Sequence, residues 1–127
     1  MLDAGPWTGC RRLAQVQANN KLILIYATFP SLQDAERIGG DLVDCGLAAC
    51  VNIIPGMTSI YMWKDQRHRD RECVAIIKTR SALADPVMAR VRSLHPYDTP
   101  ALVVLPIEGG SGDFLRWIEE QTATPKI

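Results

Sequence analysis

At 127 residues, with 47% hydrophobic and 22% charged positions, the chain has the size and make-up of one globular domain. Lysine plus arginine and aspartate plus glutamate both number 14, so no net field draws it to nucleic acid or to an acidic membrane surface. No run approaches the about 18 apolar residues of a membrane-spanning helix, so no membrane insertion is expected.

Residues 1–20 hold no continuous apolar stretch of the secretory-signal kind and read as a flexible N-terminal extension. The expected placement is cytoplasmic. The four cysteines, Cys10, Cys45, Cys50 and Cys73, form no C-x-x-C pair and fit no zinc spacing. They read as reduced structural thiols.

Lys21–Thr28, KLILIYAT, is a near-continuous apolar run of strand length and reads as a central strand covered on both faces. Ser31 with Asp34 three residues on is a variant capping box that opens a helix. Leu32, Ala35, Ile38, Gly39, Leu42 and Val43 recur at three and four and give that helix one apolar stripe. Gly46 supplies its stop. Leu47–Ile54 reads as the next strand. At Pro55-Gly56 one residue presets φ and the other permits positive φ, so a reversal or sharp bend is expected.

Ser59–Trp63 and Glu72–Arg80 read as hairpin strands that bracket KDQRHRDR, a solvated tip of mixed charge in which His68 is exposed. Tyr61 and Trp63, two apart, share one strand face. Leu83, Val87, Met88, Val91 and Leu94 then repeat with helical period, with Asp85-Pro86 as N-cap and first helical residue. Pro96 ends that helix, since the residue before proline avoids the α region. Ala101–Ile107 is another apolar strand, in which Pro106 points to an edge or a strand end. Gly109-Gly110 breaks the chain. Ser111 or Asp113 opens a last amphipathic helix with Phe114, Leu115, Trp117 and Ile118, and residues 123–127 form a tail.

Strand, helix, strand, strand, helix, strand is the ferredoxin-like split βαβ order. The expected fold is therefore α+β: a ferredoxin-like βαββαβ domain over residues 21–122, with an extended hairpin and an added C-terminal helix. Two crossover helices cover one sheet face. The strands are apolar on both, since Ile23 and Ile25 alternate with Leu22 and Leu24, and Ile76 adjoins Ile77. The second face therefore requires a lid or another subunit.

Three groups of side chains bear on function. His95 stands at a helix end before Pro96, as a switchable cation beside the helix dipole or as a loop-fixing hydrogen-bonding group. Lys78 interrupts an apolar strand and must snorkel out or face a polar cleft. Lys78, His95 and Tyr97 are the candidates for a cleft between subunits. Tyr61 and Trp63 are the candidates for a subunit interface, and with Tyr97 the alternative is a ligand-pocket wall. No motif anchors a catalytic triad, and GGSG at Gly109–Gly112 lacks the Lys-Ser/Thr of a phosphate loop.

LAACVNIIPGMTSIYMW, AIIKTR at Ala75–Arg80, HPYDTPALVVLP at His95–Pro106 and FLRWI at Phe114–Ile118 follow one another in the order of one family. Together they make the chain resemble CutA, the divalent-cation-tolerance proteins, over roughly Leu22–Thr122. The resemblance implies homotrimers of ferredoxin-like subunits whose hairpins cross subunit boundaries. It also implies a role in the response to metal ions, copper binding in some members, no catalysis and no required cofactor. Where copper-binding members are described with Cys, His and Glu, this chain has Ala27, Leu94 and Ala101, and Phe29 stands where some relatives have Cys. A high-affinity copper site within one subunit is therefore not expected, and only weak divalent-metal binding is. Cys50, in an apolar strand, is expected to be buried and protonated. Asp65 stands where a glycine commonly follows the Trp-Lys pair. Two other functions fit the same architecture: a small-molecule sensor of the nitrogen-regulatory type with a ligand between subunits, and a structural trimer that docks a partner protein.

Overall fold

A computed structural model describes residues 16–18 and 21–126. In chain order the elements are β1 (Val16–Ala18), β2 (Leu22–Phe29), α1 (Leu32–Asp44), β3 (Cys50–Trp63) and β4 (Gln66–Arg80). A short 3₁₀ turn (Ser81–Leu83) leads to α2 (Ala84–Leu94), β5 (Leu102–Pro106), β6 (Gly109–Ser111) and α3 (Gly112–Gln121). The main sheet has the order β3-β4-β2-β5, antiparallel throughout, with α1 and α2 as the crossovers. This is the ferredoxin-like topology read from the sequence, with Pro106 at the end of an edge strand.

The sheet's two faces differ. On one, Ile23, Ile25, Ala27 and Phe29 of β2 and Cys73, Ala75 and Ile77 of β4 meet Ala35, Ile38 and Leu42 of α1 and Val87 and Val91 of α2. α1 starts where the capping box put it: the Ser31 hydroxyl accepts the Asp34 N–H at 3.1 Å. It ends at Cys45, and Gly46 follows at φ +72°, the left-handed turn glycine adopts without strain. The tail returns to that end, where the Lys126 N–H donates to the Cys45 carbonyl at 2.6 Å.

The second face is covered at one end only. There Leu115 and Ile118 of α3 bury Leu22 and Ala49. Beyond α3, Leu24, Tyr26 and Ile76 are half-buried, with Leu105 and Val103 beside Leu24 and Tyr26 on the same face. Val103, Leu105 and Ile54 are exposed.

Several expectations are corrected. Pro55-Gly56 does not reverse the chain. It lies in a β-bulge between Ile54 and Met57, with Gly56 at φ +79°, and β3 runs through it as one strand. That strand starts at Cys50, not Leu47. The tip is not a long polar loop either. Lys64-Asp65 alone makes the turn, both at positive φ (51° and 63°), and Gln66–Arg71 is paired strand. Positive φ at both central residues defines a type I′ turn, whose twist matches the flanking strands. Once the turn is set, backbone pairing carries polar residues into the ladder regardless of propensity. His68 is half-buried, because it stacks on Tyr61 across the ladder.

Asp85 is not a cap: α2 begins one residue earlier, out of the 3₁₀ turn, with Leu83 at the cap position and no side-chain bond there. Gly109-Gly110 is strand, pairing with Val16–Ala18. The extension expected over residues 1–20 thus carries a strand at 16–18, and its remainder, Cys10 included, lies outside the described residues. Cys50 is half-buried on the open sheet face, its thiol 3.8 Å from Asn52 Oδ1.

Candidate functional site

His95 is the structural hinge of the site. It caps α2, its N–H donating to the Val91 carbonyl at 2.8 Å, and its backbone is already extended. The ring is buried between Phe29 and Tyr97, with centroids 4.8 and 4.9 Å away. Nδ1 accepts the Tyr97 N–H at 3.0 Å, which places the ring proton on Nε2, 2.7 Å from the Thr28 carbonyl it donates to. Both nitrogens are thereby used in fixing the 96–101 loop to β2.

The fixed loop faces the hairpin arm. Between them lies a cleft of ≈550 Å³ lined by Thr28, Tyr61, Trp63, Glu72 and the loop residues Pro96–Thr99 and Ala101. Tyr97 and Glu72 close its floor, the phenol donating to the carboxylate at 3.3 Å. Burial first and the Glu72 charge second push the Tyr97 phenol up to about 12. On the arm the Tyr61 phenol donates to Asp70, a bond that also raises its pKa, and its ring stacks on His68 at 5.4 Å.

Of the five residues singled out in the sequence, the structure brings Tyr61, Trp63 and Tyr97 to one cleft, with His95 behind it. Lys78 is elsewhere. It is half-buried with Nζ 5.2 Å from the Phe114 ring centroid, a cation–π contact under α3. Along β4 it is four residues from Val74, the partner of Thr28, or roughly 13 Å at the usual strand rise.

Glu72, Asp98 and Thr28 were not singled out. Glu72 shares a strand face with Asp70 and, across the ladder, with Tyr61 and Trp63, but only the turn position fixes that register. Ala27 is fully buried and Ala101 lines the cleft. Among the described residues no group of three or more His, Cys, Asp or Glu side chains converges on a metal-sized site.

A ferredoxin-like domain with a long two-stranded arm, one open apolar sheet face and a loop-to-arm cleft is an α+β module of the split βαβ class. Residues 23–121 match the family described as CutA1 divalent ion tolerance protein. The chain is 40% identical over 129 residues to protein CutA 1, chloroplastic, of rice, covering 95% of this chain and 73% of that protein. It is 41% identical to the divalent-cation tolerance protein CutA of Thermus thermophilus, over 78% of this chain and 96% of that one. The crystal structure of the periplasmic divalent cation tolerance protein CutA from Archaeoglobus fulgidus superposes with a TM-score of 0.78 at 42% identity, over 80% of this chain and 98% of that chain. The chain belongs to the CutA divalent-cation tolerance family.

Proposed function

We propose that the protein is a non-enzymatic homotrimer acting in the response to divalent metal ions, with at most weak metal binding of its own. The observation that carries this reading is the open sheet face. Half-buried Leu24, Tyr26 and Ile76 and exposed Val103 and Leu105 form an apolar surface that α3 does not fully cover, beside an arm reaching past the sheet. Closed cyclic association buries such a face and satisfies the β5 edge without open-ended growth. Weak metal binding is supported by chemistry at the family's ligand positions, where Ala27, Leu94 and Ala101 offer no side-chain lone pair, and by His95, both of whose ring nitrogens are engaged.

Native mass spectrometry of the untagged, reduced protein tests both parts. The expected species is three chains of 14.1 kDa each. In a competition titration, a strong chelator is expected to strip copper completely. A folded monomer overturns the trimer, and stoichiometric copper retained against the chelator overturns weak binding. The ligand-sensor reading is favoured by one observation, the aromatic cleft.

A further inference from the structure

We propose that the cleft between the arm and the 96–101 loop binds a small organic cation, an alkylammonium or guanidinium ion. Its charge would face Glu72 and its carbon frame would lie on Tyr61, Trp63 and Tyr97. The inference does not depend on the metal-response reading, because the rings and carboxylates it uses all belong to one chain.

The lining itself selects the class. Three aromatic rings and two carboxylates, Glu72 and Asp98, line it, and no lysine, arginine or histidine side chain does. Aromatic faces carry negative quadrupole potential and hold a cation within about 6 Å of the centroid. Glu72 makes no ion pair among the described residues. Among those residues its carboxylate accepts one side-chain hydrogen bond, from the Tyr97 phenol. The arm's cations point the other way. β4 alternates, so Gln66, His68, Asp70 and Glu72 share the face of Tyr61 and Trp63, whereas Arg67, Arg69 and Arg71 lie on the opposite face with Ile60 and Met62.

Other ligands fit worse. An anion meets two carboxylates and no counter-charge. A neutral apolar ligand strips water from Glu72 without replacing it, which is costly. A bare divalent ion needs about six oxygen ligands, and rings occupy most of this wall. An organic cation matches both parts of the lining, and the cleft volume falls in the range of about 300–1,000 Å³ usual for small-molecule sites. The charge that Glu72 places at the Tyr97 phenol points the same way.

The test is a titration of the full, native assembly with tetramethylammonium chloride and with propylguanidinium chloride, against sodium chloride at equal ionic strength. It is followed by calorimetry and by the Trp63 indole N–H resonance, which Trp63→Phe identifies. Saturable binding that moves this resonance is expected. Glu72→Gln, which keeps the shape and removes the charge, should weaken it about 5- to 30-fold, as should Trp63→Leu, while Tyr97→Phe keeps the ring and weakens it less.

Several outcomes overturn the proposal. One is the absence of saturation by either cation. Another is equal affinity in Glu72→Gln. A third is displacement of the resonance by acetate or magnesium chloride but by neither organic cation. A Trp63 indole already shielded in the assembly and silent to both probes would show that a neighbouring subunit fills the cleft, and would overturn it as well. Subunit number, measured on each variant, separates a failure of this site from a failure of the trimer.

Discussion

The β3–β4 hairpin is two regions joined at one bulge. Below it, Val51 and Ile53 pair with Ile77 and Ala75 and pack into the core under α1. Above it, Ile60, Met62 and Trp63 are 56, 65 and 56% exposed, in the same two strands and the same ladder. Backbone pairing alone therefore does not decide burial. The base is held by a core. The arm is a two-stranded ribbon, a form marginal in water by itself, and it leans on its type I′ turn, the Tyr61–His68 stack and the Tyr61–Asp70 bond. An arm so built needs a second surface, which the proposed trimer supplies.

The largest contrast is expected between matched truncations. Ile77→Ala, in the buried base, should cost about 2–5 kcal/mol of subunit stability in denaturant unfolding. Ile60→Ala in the arm should change it by less than about 0.5 kcal/mol when assembly is absent. If the arm crosses to a neighbour, Ile60→Ala and Trp63→Ala instead weaken association, read by sedimentation against concentration. Equal unfolding losses in base and arm would break the comparison.

Next in size is His95→Leu. It preserves bulk between Phe29 and Tyr97 but orphans the Thr28 carbonyl and the Tyr97 N–H, an expected loss of about 1–3 kcal/mol in thermal or urea melts. A neutral result would mean that the loop holds without this strut.

Asp65→Gly should act in the opposite direction, on the arm. Lys64 and Asp65 both occupy the left-handed region, which costs a non-glycine residue roughly 1 kcal/mol, and glycine removes that strain at one of them. Amide exchange slowed only above the bulge would localise the gain.

The smallest effect concerns pH and the two helices that cover the core beneath the base. The Arg90 guanidinium grips Asp41 at 2.7 and 2.8 Å, tying α2 to α1 and holding the Asp41 carboxyl below its ordinary 3.8. A depressed carboxylate stabilises the fold above its unfolded pKa, and that contribution is lost as pH falls through the folded value. Asp41→Asn should thus lower the melting temperature slightly at neutral pH, and the difference should shrink as pH falls below the ordinary carboxylate range and through the lowered folded value. A difference that persists there would assign the loss to packing.

Much of the fold was legible because its signals are local. The Ser31 capping box, the Gly46 stop, the middle of the α1 stripe and Pro106 each act within a turn of themselves; of the stripe, Ala35, Ile38, Gly39 and Leu42 are buried, whereas Leu32 and Val43 at its ends are exposed. The arm was not legible. Gln66–Arg71 is polar enough to read as loop, and only its pairing with Thr58–Trp63 makes it strand. The α2 start failed for a related reason: the preceding 3₁₀ turn carries the chain into the helix without a side-chain cap. At the site, the three rings were named from residue type and spacing, Tyr61 and Trp63 for a subunit interface and Tyr97 for a cleft between subunits, with a shared pocket wall as the alternative. Glu72 escaped notice because its place depends on a two-residue turn lacking the usual glycine. Lys78 was grouped with His95 because both are basic side chains placed in a strand and at a helix end, a criterion blind to the stretch of strand between Lys78 and the cleft.

The bulge at Pro55-Gly56 also sets how this arm tolerates a change of length. β3 spends one more residue than β4 between the pairs Ile54–Val74 and Met57–Glu72, so the ladder carries one unit of slack. Loss of Gly56 would let the strands run regularly while Trp63 still faced Gln66. An insertion there would need a second bulge or would turn Tyr61 and Trp63 away from the cleft and bring Ile60 and Met62 round in their place. Single-residue deletions at this point should therefore be accepted and single insertions rejected.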